Sequence, residues 1–372
     1  MSRSRTDRSR LLFWTIAIPL FVTLIWKKLD ANPSLWVYDG IMRMVESTSS
    51  NSNHSGTKFV NQTVWVTGAS SGIGASLVCN LIQGQAGHVI MSSRNITKLE
   101  HVRDECKERY PNSPTIVSII QYDAMKQWKT QSVVQEALQQ ALAYKKKGGI
   151  DVLFLNAGVY QTRLALETTI EETKRITRIN YEAPVELALE LLKQDGWKER
   201  GKGSLVVTSS VTAKGPQSLC SSYAASKAAL TNYFQTLSTE EFTWLSVYMV
   251  IVGGTKTNLW NHLNYNVDQP NDENLMDPDR VASLMTRAVS VHSFWGWWMF
   301  YEIWITKNIG LLYMLLNMYA PNLFHLGTHW VGLARRISLE RDHTDLLGVM
   351  TIIQNLAGYY MGWGNEYFVR RL

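Results

Sequence analysis

The chain has 372 residues, 45% hydrophobic and 18% charged, with 14 Trp, 16 Tyr and 10 Phe. That apolar and aromatic load excludes a disordered chain, and the length suits two or three ordinary domains or one large α/β domain with extensions. The net charge of +6 is no nucleic-acid footprint, because Arg3, Arg5, Arg8 and Arg10 against Asp7 put half of it in the first ten residues. Cys79, Cys106 and Cys220 are too few and too scattered for a disulfide scaffold or a cysteine-based zinc site.

Residues 11–26, LLFWTIAIPLFVTLIW, carry no charge and are followed by Lys27 and Lys28. Sixteen helical residues span about 24 Å against a hydrocarbon core of roughly 30 Å. Trp14, Trp26 and the flanking cations cover the shortfall at the interfaces. A cleaved signal needs small residues at its cleavage site, and the KKLDANPSLW that follows lacks them, so residues 1–28 are expected to form an uncleaved signal-anchor. The excess of arginine before the segment predicts a cytosolic N-terminus and a single-pass protein with its catalytic domain in the endoplasmic reticulum lumen. The sequons at Asn53, Asn61 and Asn95 would then be open to glycosylation, Asn53 first, since it lies in a polar stretch and Asn95 adjoins Arg94.

Residues 29–60, which include the Ser/Asn-rich STSSNSNHSGTK, are expected to be a linker. From residue 61 to 291, mostly continuously apolar runs alternate with helix-length segments. The runs cover 63–68, 88–93, 115–123, 150–158, 203–210 and 245–254, as expected of parallel strands buried on both faces. The pattern predicts a Rossmann-type doubly wound α/β fold with a parallel sheet.

The first run ends in Thr67-Gly68-Ala69-Ser70-Ser71-Gly72-Ile73-Gly74. Glycines after a first strand let the chain turn sharply, bring backbone against a pyrophosphate and expose the N–H groups of the next helix. The second run ends in Ser92-Ser93-Arg94, where an NAD site usually places a carboxylate; the first one after the glycine loop is Glu100. Arg94 offers a cation for a 2′-phosphate instead, which favours NADP (NADPH) over NAD. Further on, Tyr223 and Lys227 lie four residues apart in a helical segment and share a face, thirteen residues after Ser210 at a strand end. An ammonium beside a phenol favours the phenolate and tunes it toward acid–base work.

These residues, with Leu155-Asn156-Ala157-Gly158 and Asn180, resemble the short-chain dehydrogenase/reductase family over about residues 61 to 260. The resemblance implies that Tyr223 is the general acid/base and Ser210 orients the substrate carbonyl. It makes Lys227 the residue that binds the nicotinamide ribose and lowers the Tyr223 pKa, and Asn180 the holder of a water in a proton relay. It also implies that Gly68, Ser70, Ser71, Gly72, Ile73, Gly74, Asp123, Asn156, Gly158 and Thr257 bind cofactor with Arg94. Two departures stand out: Val252 occupies the usual Pro position before Gly253, and Ser71 stands where some NADP-dependent relatives have Lys.

The anchor, the Ser-Arg after the second strand and the long apolar C-terminal part are similar to the membrane-anchored 11β-hydroxysteroid dehydrogenases and related dehydrogenase/reductases. Residues 292–372 are read as an apolar C-terminal extension, in which 297–324 resembles the last strand and hydrophobic terminal helices of those relatives; 308–334 contain no Asp, Glu, Lys or Arg, which suits a patch dipping into a membrane or a homodimer or core surface equally. The expected function is a membrane-anchored NADP(H)-dependent oxidoreductase for a lipophilic small-molecule alcohol or carbonyl of steroid, retinoid or lipid class. The alternative is a non-catalytic membrane-bound scaffold of the same fold; presence of all four catalytic-type residues favours the enzyme.

Overall fold

The computed structural model describes residues 29–31, 33–48, 59–126, 130–144, 148–241, 243–259, 275–290 and 302–307. Its centre is a seven-stranded parallel sheet in the order β3-β2-β1-β4-β5-β6-β7. The strands are β1 (Thr63–Thr67), β2 (His88–Ser93), β3 (Ile116–Gln121), β4 (Val152–Leu155), β5 (Gly203–Ser210), β6 (Leu245–Val252) and β7 (Glu302–Ile305). All five residues of β1 and all four of β4 are buried, as in a sheet covered on both faces. Val64 and Val66 point to one face and Trp65 to the other.

The helices split accordingly. On one face lie α1 (Pro33–Thr48), α2 (Gly72–Gln83), α3 (Ile96–Arg109) and α9 (Pro278–Ser290), through residues such as Leu35, Leu77, Leu99 and Leu284. On the other lie α4 (Thr130–Tyr144), α6 (Ala183–Gln194) and α8 (Ser221–Glu240), through Val134, Leu187 and Phe234. The short α7 (Trp197–Arg200) inserts Trp197 beneath Gly203, and α5 (Ile170–Thr177) runs through a π-helical turn, Arg178–Glu182, into α6. The strand order reverses at β1, with β2 on one side and β4 on the other, and this opens a crevice at the carboxyl ends of the strands.

Three features differ from the expectations. Residues 29–60 are not all linker: they contain α1, whose Asp39 is held by Arg280 at 2.6 Å and Arg287 at 2.7 Å from α9. The seventh strand, 302–305, falls within 297–324, where the resemblance implies a last strand, and so joins the sheet from beyond the boundary expected at 291/292. And although the cysteines make no scaffold, Cys79 of α2 and Cys106 of α3 form one disulfide. Among the described residues no helix is long and apolar enough to cross a membrane. Residues 1–28 and 308–334, which carry the membrane expectations, and Asn53 lie outside the described residues.

Candidate active site

Gly68 and Gly158 leave the neighbouring strands β1 and β4, and both line the crevice. Thr67 ties the two strand ends: its hydroxyl donates to the Phe154 carbonyl at 3.0 Å and accepts the N–H groups of Asn156 and Ala157 at 3.0 and 3.2 Å. Gly68 has φ +68°, and a Cβ there would lie 2.8 Å from the Ala157 Cα. A Cβ on Gly74 would lie 2.2 Å from the Gly68 carbonyl oxygen, so the turn closes only with glycine at both positions. Thr257 packs on Gly72, where a Cβ would come within 2.9 Å of its Cγ2. The Ser71 side chain caps nothing at the start of α2, which leaves first-turn N–H groups to meet an anion. At the start of α3, by contrast, the Asn95 side chain accepts from Lys98 N at 3.0 Å.

These elements line a cleft of about 1340 Å³. Its walls include Gly68, Ser70, Ser71, Gly72, Ile73, Arg94, Asp123, Asn156, Gly158, Ser210, Tyr223, Lys227 and Thr257. Gly74 and Asn180 do not line it; they support it from behind. Arg94 is exposed at the rim, its carbonyl accepting from Gln121 at 3.0 Å. Asp123 caps its own turn, accepting from Met125 N at 3.0 Å. Among the described lining residues Arg94, Lys98, Arg175 and Lys227 are cationic and Asp123 alone is anionic, an imbalance that suits a polyanionic ligand.

The opposite wall is polar and buried. Ser210 ends β5, and its Oγ accepts from the N and Oγ1 of Thr212 at 3.2 and 3.0 Å, which leaves its own proton for the neighbouring Tyr223 phenol on the cleft side. Tyr223 is 7% exposed and Lys227 4%. Burial pushes the Tyr223 phenol up to about 12, against a lowering hydrogen bond with Ser210. The phenol is therefore protonated at neutral pH, the form that donates to a carbonyl oxygen. Burial lowers Lys227 to about 8, and its Nζ donates to the Thr208 carbonyl at 2.8 Å. The sequence leads one to expect Lys227 to lower Tyr223, but the lowering partner here is Ser210, and burial outweighs it.

Asn180, fully buried, sits in the π-helical turn, an irregularity frequent at functional sites. Its Oδ1 accepts from Val159 N at 2.8 Å, and its Nδ2 donates to the Val159 carbonyl at 2.9 Å and to Ser226 Oγ at 3.1 Å. The side chain thus clamps the β4 loop to α8. Gly158 permits this approach, since a Cβ there would lie 3.3 Å from Asn180 Oδ1 and 3.5 Å from Lys227 Nζ. Sequence reasoning passed over Thr67, Ser226 and Tyr160. Ser226 stands between Tyr223 and Lys227 in the motif itself, and Thr67 opens the glycine run. Tyr160 lies four residues after Asn156 and stacks edge-on against Tyr223 with ring centroids 4.7 Å apart.

Fold and cleft together define a doubly wound α/β protein in which a buried phenol and a glycine-rich turn line the same cleft. A family model described as short chain dehydrogenase matches residues 62–268, and the chain belongs to that family. It is a dehydrogenase/reductase. It is 26% identical over 327 residues to Dehydrogenase/reductase SDR family member 7 of Mus musculus, covering 84% of this chain and 88% of the relative. A Hydroxysteroid 11-beta-dehydrogenase 1-like protein of Xenopus tropicalis is 31% identical over 180 residues, 48% of this chain and 58% of the relative. Among solved structures, an alcohol dehydrogenase from the archaeon Thermococcus sibiricus complexed with 5-hydroxy-NADP shares the fold with a TM-score of 0.56 at 18% identity, covering 66% of this chain and 96% of that one. An actinorhodin polyketide ketoreductase variant with NADPH gives 0.58 at 20% identity, covering 67% and 97%.

Proposed function

We propose that the protein is an NADP(H)-dependent oxidoreductase that interconverts a lipophilic alcohol and its carbonyl, held at a membrane by residues 11–26 with its catalytic domain in the endoplasmic reticulum lumen. The observation that carries the oxidoreductase reading is the convergence of Ser210, Tyr223 and Lys227 on the wall opposite the glycine cradle, in one cleft. When bound, the nicotinamide supplies or accepts the hydride. Gly68, Ser70, Ser71, Gly72 and Ile73 would hold the pyrophosphate, Arg94 the 2′-phosphate, Asp123 the adenine side, and Asn156, Gly158, Lys227 and Thr257 the nicotinamide end. Ser210 then orients the substrate oxygen with its hydroxyl. Tyr223 gives its phenolic proton to that oxygen in reduction and takes it back in oxidation. Lys227, fastened to the Thr208 carbonyl, keeps a cation near the phenol, and Asn180 holds the loop and helix that carry these groups in register.

Three observations support the finer reading. The cleft's cationic lining and the absence of a carboxylate between Ser92 and Lys98 favour the cofactor with the extra phosphate. The Cys79–Cys106 bridge suits an oxidising compartment such as that lumen. The uncharged segments 11–26 and 308–334 suit a membrane and a lipophilic substrate; the latter equally suits a homodimer face. The test is the full-length protein in microsomes, assayed with NADPH and with NADH against steroid, retinoid and long-chain lipid carbonyls, with protease protection on the same vesicles. Turnover of one of these classes with NADPH preferred, and a catalytic domain protected until detergent is added, are expected. Turnover of water-soluble carbonyls alone, a preference for NADH, or digestion without detergent would each overturn its part of the reading.

A further inference from the structure

Helix α1, which follows the uncharged N-terminal segment, has two unlike faces. Leu35 is fully buried, and Asp39 points into the domain, where its carboxylate meets Arg280 at 2.6 Å, Arg287 at 2.7 Å and Arg43 at 3.0 Å. On the opposite face Val37, Ile41 and Met44 are 51%, 53% and 71% exposed. Spacing of i, i+4 and i+7 aligns them in one stripe. Gly40 lies within the stripe and Arg43 at its margin. Single exposed hydrophobes need no explanation, but an aligned stripe opposite a fastened face does.

What covers it follows from where the chain comes from. Residues 11–26 end three residues before Leu29, which is buried in the core. Asp30 is held by Arg280 Nε and Nη2 at 2.6 and 3.0 Å, and its carbonyl accepts from Thr306 N at 3.1 Å. Seven extended residues, from Trp26 to the start of α1, reach at most about 25 Å. Residues 29–31 and α1 are fastened to the domain, so the helix cannot swing away, and any surface that takes residues 11–26 has the start of α1 within that reach, with the stripe beginning one turn further on. We infer that the stripe is covered by the bilayer itself: α1 lies in the boundary between headgroups and acyl chains, Val37, Ile41 and Met44 inserted, Arg43 level with the lipid phosphates. This rests on the reading of residues 11–26 as a membrane segment. The ion network of Asp30, Asp39, Arg280 and Arg287 then sets how the domain sits on the membrane. It also sets the height of the cleft above it, because Thr306 packs on Gly253 in the cleft wall.

The test uses full-length Val37→Cys and Ile41→Cys, with Gln139→Cys on α4, across the sheet, as control. Each is labelled with a polarity-sensitive fluorophore and reconstituted in phosphatidylcholine/phosphatidylserine vesicles; Cys79 and Cys106 are bridged and Cys220 is buried, so the new thiol is the one labelled. Labels at 37 and 41 should emit to the blue of the label at 139 and lose emission when lipids with a headgroup nitroxide are included. Water-like emission at 37 and 41, from protein that floats with the vesicles, would overturn the inference and leave the membrane segment standing. Blue emission without nitroxide quenching would overturn it too, in favour of a second copy if dilution abolishes it and of residues 308–334 if not. Protein that fails to float would remove the membrane reading and this inference together.

Discussion

The two walls of the cleft are built by opposite means. The wall from β1 and α2 works by what is missing: Gly68, Gly72 and Gly74 leave room for backbone to approach backbone, and the site is made of N–H groups and empty space. The wall from β5 and α8 works by what is present, polar side chains buried almost completely and satisfied by one another. The first should therefore break when atoms are added and the second when atoms are removed.

The largest effect expected is at Gly74. A Cβ there meets the Gly68 carbonyl oxygen at 2.2 Å and Asn156 Nδ2 at 2.8 Å, neither of which can yield without moving a strand end. Gly74→Ala should destabilise by about 1–3 kcal/mol or more, the usual range for overpacking, and abolish cofactor binding. Gly40→Ala, whose Cβ would meet nothing within 4 Å, is the control and should melt no lower than wild type. Thermal melts with and without NADPH check both; a Gly74→Ala protein that still gains stability from cofactor would break the comparison.

On the other wall, removal of one oxygen is enough. Tyr223→Phe should lower turnover by about 10² to 10⁴ while leaving cofactor affinity nearly unchanged. Single-turnover kinetics beside a cofactor titration separate the two, and turnover close to wild type would take the proton-donating role from Tyr223.

The contrast also explains what could be read in the sequence. Strands of a parallel sheet announce themselves as apolar runs, so β1 to β6 were legible, and the glycine run was legible because its meaning is local. Helix α1 was not, because it sits beside a polar stretch and is fixed by Asp39 meeting Arg280 and Arg287, some 240 residues away. The Cys79–Cys106 bridge is invisible for the same reason: it needs α2 and α3 to pack side by side. Strand β7 was legible only through the family resemblance of 297–324, because the composition of that aromatic-rich stretch suits membrane or core alike. At the site, Tyr223, Ser210 and Lys227 could be named from spacing, but not the balance of forces on the phenol, which burial decides.

A middle-sized effect sharpens the first wall. Arg94 is exposed, so its removal should leave stability unchanged and act on the ligand alone. A charge-assisted contact contributes about 1.5–3 kcal/mol. Arg94→Ala should therefore weaken NADPH by about ten- to a hundredfold. It should barely affect NADH, which lacks the phosphate. Equal losses for the two cofactors would show that Arg94 reads nothing specific to NADPH.

The smallest effect is in stability against pH, where each half of the sheet has a buried base. His88 opens β2, its Nε2 2.9 Å from Ser118 Oγ, and burial lowers it from 6.5 to about 4. Lys227, on the catalytic wall, is lowered from 10.5 to about 8 by the same cause. In both cases the unfolded chain binds more protons than the folded one between the two values, so stability rises with pH across that window. The windows do not overlap. The contribution of His88 is present above about 6.5 and is lost as pH falls through about 4. That of Lys227 is still missing at neutral pH, where a buried ammonium must be kept charged, and grows from about 8 to about 10.5. Urea unfolding across pH should thus show a rise on the acid side that His88→Gln flattens, and a separate alkaline rise that Lys227→Met flattens. Each variant should leave the other's window untouched, since the two residues lie on different strands and helices with no shared partner. If Lys227→Met leaves the alkaline slope as it was, the catalytic wall is wetter than its packing implies, and the contrast between a wall of gaps and a wall of buried charge would have to be given up.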